Sequence, residues 1–324
     1  MKMHHITKYF GTIAMFVLTM LLGCGCSEEK DPAADTIRVS AGLPPVGWIA
    51  NRIGGGRITV TALLPEGRTP HDYSPSPRDL RDASKGEFFF STGMPFERRV
   101  AAAMPSVKTV DVSDGIKRIP FCGCGHDHHQ HDAQEQHHQE EAKEPGHHHE
   151  AEGSHHHDDD EDALDPHIWL SIPNVLQIAA NIERTLEEAH PEHAATFRAG
   201  LVSLTVEMKA LEKEISSELA PWRDREFYVY HPAFGYFAAM TGLRQEAIEL
   251  GGREAGAKRL EAIAEAAKKD NVKVIFVQPQ FNPANARALA DAIGGEVKPL
   301  DPLAADLPAN FKAITEALKA GFSR

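Results

Sequence analysis

Short apolar runs alternate with amphipathic stretches along this chain, once on each side of a long helical segment, and that pattern narrows the possible folds most. Runs at 37–41, 58–64, 87–91 and 107–112 read as strands, separated by helical patterns at 44–53, 77–84 and 95–103. The first of these helices stops at Gly54-Gly55-Gly56. The second half repeats the order, with strands at 226–230, 246–249, 272–277 and 296–299 and helices at 234–241, 257–268, 283–293 and 307–318. Strands separated by helices imply parallel pairing with crossover connections, so the fold class is α/β with a mainly parallel sheet in each half. Between the halves, Val175, Ile178, Ala179, Ile182 and Leu186 mark one helix face. A longer stretch, 191–219, repeats Phe197, Leu201, Leu204, Met208, Leu211 and Ile215. At 1.5 Å per residue it reaches about 40 Å, enough either to tie two lobes together or to serve as an ordinary core helix.

A second feature interrupts the first half. Between Cys122 and His157 lie His126, His128, His129, His131, His137, His138, His147, His148, His149, His155, His156 and His157, which is twelve of the chain's nineteen histidines. The span 126–162 holds thirteen Asp and Glu against the single Lys143, so nearly all of the net charge of −13 belongs to it. The rest of the chain is close to neutral and carries no basic stripe, which excludes nucleic acid as a partner. From Cys122 to Ala163 the tract has no large apolar side chain, so it cannot offset its chain entropy by burial and reads as a loop spanning 121–164. Clustered imidazoles gather late first-row metals weakly and without selecting one, and Cys122 and Cys124 add thiol ligands at its head. The tract is therefore a secondary metal-binding element rather than the selective site.

The N-terminus reads as an export signal: Lys2 and Lys8 precede a twelve-residue apolar run at 11–22, too short to span a bilayer. Leu21-Leu22-Gly23-Cys24 resembles the lipobox of bacterial lipoproteins, which implies cleavage after 1–23, lipidation of Cys24 and a tether at 24–36. Two or more acyl chains give a stable membrane anchor. The four cysteines, Cys24, Cys26, Cys122 and Cys124, leave none in the folded body, so no disulfide framework holds the core.

Isolated polar residues stand at the carboxyl ends of the strands, where open α/β sheets bind their ligands. His71 follows the second strand, His167 follows the histidine-rich tract, His231 ends the strand at 226–230, and Asp301 follows the strand at 296–299. Three imidazoles and one carboxylate, two residues from each half, suit tetrahedral Zn²⁺.

The segments that carry these residues resemble the zinc-binding solute-binding proteins of bacterial ABC importers. They are Leu64-Pro65-Glu66-Gly67 with His71, Asp165-Pro166-His167-Ile168-Trp169-Leu170, His231-Pro232-Ala233-Phe234-Gly235-Tyr236, Pro279-Gln280-Phe281 and Leu300-Asp301-Pro302-Leu303. They occur in the family's order and span nearly the whole chain from Ile37 onward. An acidic histidine-rich loop just before the second histidine is typical of zinc members. The resemblance implies His71, His167, His231 and Asp301 as the metal ligands. It also implies two (β/α) lobes joined by one long linking helix, so that lobe motion on capture is modest. Manganese-type relatives commonly place a carboxylate where this chain has His231, and exchanging oxygen for nitrogen favours Zn²⁺. Gln278 stands where several relatives have glutamate, and Pro70 replaces an acidic neighbour of the first histidine. These departures leave the fourth coordination position open between Asp301 and water.

The expected organisation is a signal peptide 1–23, a tether 24–36, an N-terminal lobe 37–189, a linking helix 190–222 and a C-terminal lobe 223–324. The expected function is extracytoplasmic capture of Zn²⁺ as transported ligand and its delivery, as a lipid-anchored monomer, to an ABC permease and its ATPase. A metal buffer or chaperone acting through the histidine-rich tract is the main rival. A zinc hydrolase is the weaker one, because no H-E-x-x-H pair or comparable motif is present. Asp165 reads as a turn former, Trp169 as a packing residue, and Glu249 as a residue that lines the cleft without a tie to the metal.

Overall fold

Each half of the chain builds a four-stranded parallel sheet of the same order. The computed structural model describes residues 36–121, 164–249 and 255–324. The first sheet is formed by β1 (Ile37–Ala41), β2 (Ile58–Ala62), β3 (Phe88–Ser91) and β4 (Lys108–Asp111), in the order β2-β1-β3-β4. The second is formed by β5 (Glu226–Val229), β6 (Arg244–Ala247), β7 (Val274–Val277) and β8 (Glu296–Pro299), in the order β6-β5-β7-β8. In both, the second strand turns back to one side of the first and the third crosses to the other side, so ligands are expected beyond the carboxyl ends near that reversal.

The crossover helices are those the periodicity implies: α1 (Pro44–Gly54), α2 (Pro77–Ala83) and α3 (Pro95–Ala103) in the first half. All three begin on proline, which costs no hydrogen bond in a helix's first turn. α4 (Ile172–Ala189) and α5 (Ala194–Leu219) follow, and then α6 (Gly235–Thr241), α7 (Ala257–Lys269), α8 (Ala284–Ile293) and α9 (Leu307–Phe322). The long helical stretch expected at 191–219 resolves into a 3₁₀ turn, Pro191–His193, and the helix proper from Ala194. At 26 residues, α5 is roughly 39 Å long. It packs on α1 and α4 of the first half and on α6 and α9 of the second. Arg52–Glu207 at 2.6 Å and Lys319–Glu218 at 2.9 Å tie it to each side. Contact with α1 is close enough to require Gly200, because a Cβ there would lie 2.6 Å from the Ile53 carbonyl oxygen.

Burial explains the pattern of apolar residues. In β5 and β7, Phe227, Val229, Val274 and Phe276 join the main core, which continues through α4 and α5 into the first half. Their neighbours Tyr228, Tyr230, Ile275 and Val277 face a second core under α7 and α8. Both faces of these central strands are covered, so their sequences read as continuous apolar runs. β6 is the exception. The sequence places it at 246–249, whereas the strand is Arg244–Ala247. It is an edge strand paired to β5 alone, and exposed Arg244 with half-buried Gln245 and Glu246 gives it no apolar signature.

Pro120 and Leu164 pair as an antiparallel bridge. The histidine-rich tract between them, with Cys122 and Cys124, lies outside the described residues, as do the signal segment and Cys24. No helix among the described residues is long and apolar enough to cross a membrane.

Candidate metal centre

Three connecting segments carry imidazoles to one point. His71 lies in the turn-rich connection after β2, His231 two residues beyond β5, and His167 just before the 3₁₀ turn Ile168–Leu170 that leads into α4. One ring nitrogen from each lies within 4.8 Å of the others, the only such group of three ligands among the described residues. The Nε2 atoms of His71 and His231 are 3.0 Å apart, and the ring centroids stand 4.6 to 5.5 Å apart in edge-on pairs. Nitrogens bound tetrahedrally to Zn²⁺ at about 2.05 Å would lie about 3.3 Å apart, so the His71–His231 pair is close to the spacing the ion requires.

Asp301, the fourth residue of the expected set, stands outside this group. Its Oδ1 accepts the Gln280 Nε2–H at 3.0 Å and the Leu303 backbone N–H at 2.9 Å. The structure therefore brings together three of the four residues and holds the carboxylate in a turn of its own.

Two buried acids aim the rings. Asp165 Oδ1 accepts the backbone N–H of His167 at 2.8 Å and lies 2.8 Å from its Nδ1. Glu249 Oε2 lies 2.6 Å from Nδ1 of His231. A carboxylate that accepts the Nδ1 proton leaves the Nε2 lone pair facing the cluster, the tautomer that a metal needs. Gln278, fully buried, clamps the main chain of His231 from both sides. Its Oε1 accepts the His231 N–H at 3.1 Å, and its Nε2 donates to the His231 carbonyl at 2.6 Å. An ionised glutamate there could not make the second bond.

The electrostatics follow from burial. His167 is 2% exposed, and desolvation, with the charge of His231 behind it, holds its pKa well below the ordinary imidazole value. His71 keeps an edge open to the cleft, yet desolvation of its inner end, followed by repulsion from His167 and His231, lowers it to about 3. Burial pushes the Asp165 carboxyl up to about 7, against the His167 N–H and the Arg118 guanidinium. A cation on Nε2 of His167 requires Nδ1–H to face an ionised Asp165, so metal binding and loss of the Asp165 proton are linked.

The cluster sits at the end of a cleft of about 960 Å³ lined by His71, Asp72, Arg98, Asp111, Arg118, Phe121, His231 and Glu249 among others. Behind it lies a small cavity bounded by all three histidines, Gln280, Phe281 and Leu303. Phe281 stacks on His231 at 5.1 Å and 21°, and Trp169 meets His167 edge-on at 5.5 Å.

Sequence reasoning missed Asp165 and Glu249 as the residues that orient the imidazoles. The usable signal was the one that marked the histidines: an acid at a strand end beside apolar neighbours needs a partner. Gln278, expected to bear on the fourth ligand, acts on the His231 backbone instead. Trp169 packs as expected and is fully buried, and its Nε1–H also donates to the Pro302 carbonyl at 2.6 Å.

Comparison with known proteins gives a consistent result. Residues 39–321 match the sequence profile of the ZnuA family, described as zinc-uptake complex component A, periplasmic. The high-affinity zinc uptake system protein ZnuA of Haemophilus ducreyi is 34% identical over 290 residues, covering 87% of this chain and 90% of that protein. Zinc-binding protein AdcA of Streptococcus pyogenes is 27% identical over 297 residues, covering 90% of this chain but 55% of AdcA. The chain thus spans about half the length of that relative. A crystal structure of ZnuA superposes with a TM-score of 0.74 at 28% identity, covering 89% of this chain and 99% of the other. A zinc-bound ZnuA deletion mutant gives 0.72 at 29% identity, with 89% and 98% covered.

Proposed function

This chain belongs to the ZnuA family of periplasmic zinc-uptake components, and from that premise we propose that it captures Zn²⁺ between its two lobes and delivers the ion to an ABC permease powered by its ATPase. His71, His167 and His231 are the proposed ligands. The observation that carries the reading is their convergence from both halves of the chain, with Nδ1 of His167 and of His231 facing a buried carboxylate. An all-imidazole set favours Zn²⁺ and other late ions over Mn²⁺ and the hard cations. Solvent from the cleft fills the fourth position, while Gln280 and Leu303 hold Asp301 in its turn. The protein works outside the cytoplasm as a monomer anchored through lipid on Cys24, with lobes 37–189 and 223–324 joined by the segment 190–222. The histidine-rich tract is a weaker, secondary collector.

Three histidines and an open position also describe a hydrolytic zinc site, which needs a general base beside the metal-bound water. Here Asp165 and Glu249 are turned to Nδ1 atoms, so neither is placed for that role. Titration with Zn²⁺ against a competing chelator tests the capture reading. One tight equivalent is expected both in the full chain and in a variant lacking residues 126–157. Loss of the tight equivalent with the tract would move the site into the tract.

The same titration, repeated in acid, should show weaker binding. Bound metal excludes the ring protons, so affinity falls as pH drops through the pKa of each free imidazole. Three ordinary imidazoles at pH 5.5 would each lose about tenfold, or about three orders of magnitude together. Burial takes His71, lowered to about 3, and His167, held well below its usual value, out of this window, whereas the Asp165 carboxyl, pushed up to about 7, takes up a proton across it and so competes with the metal. The expected loss between pH 7 and 5.5 is about ten- to a hundredfold. A thousandfold loss would show that burial does not protect the rings.

A further inference from the structure

The three imidazoles do not meet the cleft equally. Phe121 lies against two of them, with its ring centroid 5.9 Å from those of both His167 and His231, at 30° and 53°. His71, His231 and Phe121 line the cleft, whereas His167 borders only the inner cavity and is 2% exposed. Phe121 therefore borders the cleft on one side and His167 on the other. On the other flank Phe281 stacks on His231 and is itself packed against Tyr230 at 5.5 Å, which braces it. Phe121 is half-buried and is the first residue beyond the Pro120–Leu164 bridge.

We propose that Phe121 is a gate over the inner side of the metal centre: its ring swings off His167 and His231 as an ion enters or leaves. The proposal rests on the reading of the three histidines as the Zn²⁺ site. A ring lying over two imidazoles excludes water from one side of the bound ion and raises the barrier for exchange. It adds no ligand, so it acts on rates more than on affinity. A displaceable cover of this kind sets residence time in the way that lids set product release.

The test is rapid-mixing kinetics on the full chain, with Zn²⁺ alone for capture and excess chelator for release. Phe121→Ala is expected to speed both the tight-site capture rate and the slow release phase by about tenfold, and to leave the dissociation constant within about threefold. Phe121→Trp, which restores a flat apolar cover, is expected to return slow exchange. Unchanged rates in Phe121→Ala would overturn the gate. So would release that quickens in step with weaker binding, because the ring would then merely support the bound imidazoles. If Phe121→Ala fails to fold, Phe121→Leu, which keeps apolar bulk without a flat face, takes the same measurement with the same expected direction. A wild-type protein with no tight Zn²⁺ phase would overturn the capture reading itself, whereas tight wild-type binding with unaltered variant kinetics overturns the gate alone.

Discussion

His231→Ala is expected to lower Zn²⁺ affinity by well over a hundredfold, since loss of an outer partner alone costs a metal site about 10- to 100-fold. The substitution removes one of three nitrogens from the cluster and the nearest approach within it, the 3.0 Å Nε2 pair with His71. It also takes away the Nδ1–H that faces Glu249, leaving an acid that is 2% exposed without that partner. Stability should change less than affinity, because Gln278 holds residue 231 through its backbone N–H and carbonyl, which alanine retains. Competition against a chelator gives the affinity, and melting of the metal-free protein gives the stability. His71→Ala is the companion measurement, since residue 71 is open to the cleft and its removal disturbs little packing. Retained tight binding in both variants would contradict the assignment of the site.

Trp169→Ala is expected to destabilise the metal-free protein by about 3–5 kcal/mol, the range for truncating a buried aromatic side chain. Trp169 has no exposed surface and sits in the core that runs through both halves. Its Nε1–H donates to the Pro302 carbonyl at 2.6 Å, joining the segment that carries His167 to the loop after β8. Truncation leaves a cavity and an unsatisfied carbonyl together. At about 2–4 °C per kcal/mol for chains of roughly this size, the melting temperature should fall by about 10 °C. Trp169→Phe keeps most of the apolar volume and loses the hydrogen bond, so it should recover more than half of the stability. Equal losses in the two variants would place the effect in the hydrogen bond rather than in packing.

Periodicity made the architecture legible because both faces of β5 and β7 are covered and α4 shows one apolar face along its length. The edge strand β6 was misplaced by two residues for the opposite reason, as exposure removed the pattern. The histidines stood out as polar residues at strand ends, and the structure brings three of them together. Asp301 satisfied the same criterion yet is held by Gln280 and Leu303, because a carboxylate can be satisfied by a turn as well as by a metal. Asp165 and Glu249 were hidden by sequence distance and ambiguity. Asp165 lies two residues from His167 in a segment that reads as a turn, and Glu249 faces a histidine 18 residues away. Gating by Phe121 could not be read from the sequence at all, since it depends on how loops from two halves of the chain stack.

The central claim is that one zinc ion is held jointly by the two halves of the chain through His71, His167 and His231. Anomalous diffraction at the zinc edge, on crystals of the zinc-loaded protein lacking residues 126–157, tests it most directly. One dominant peak is expected between the lobes, with the Nε2 atoms of all three histidines about 2.0–2.1 Å from it. A peak bound by residues of one lobe only, or the absence of a peak at the three rings, would contradict it.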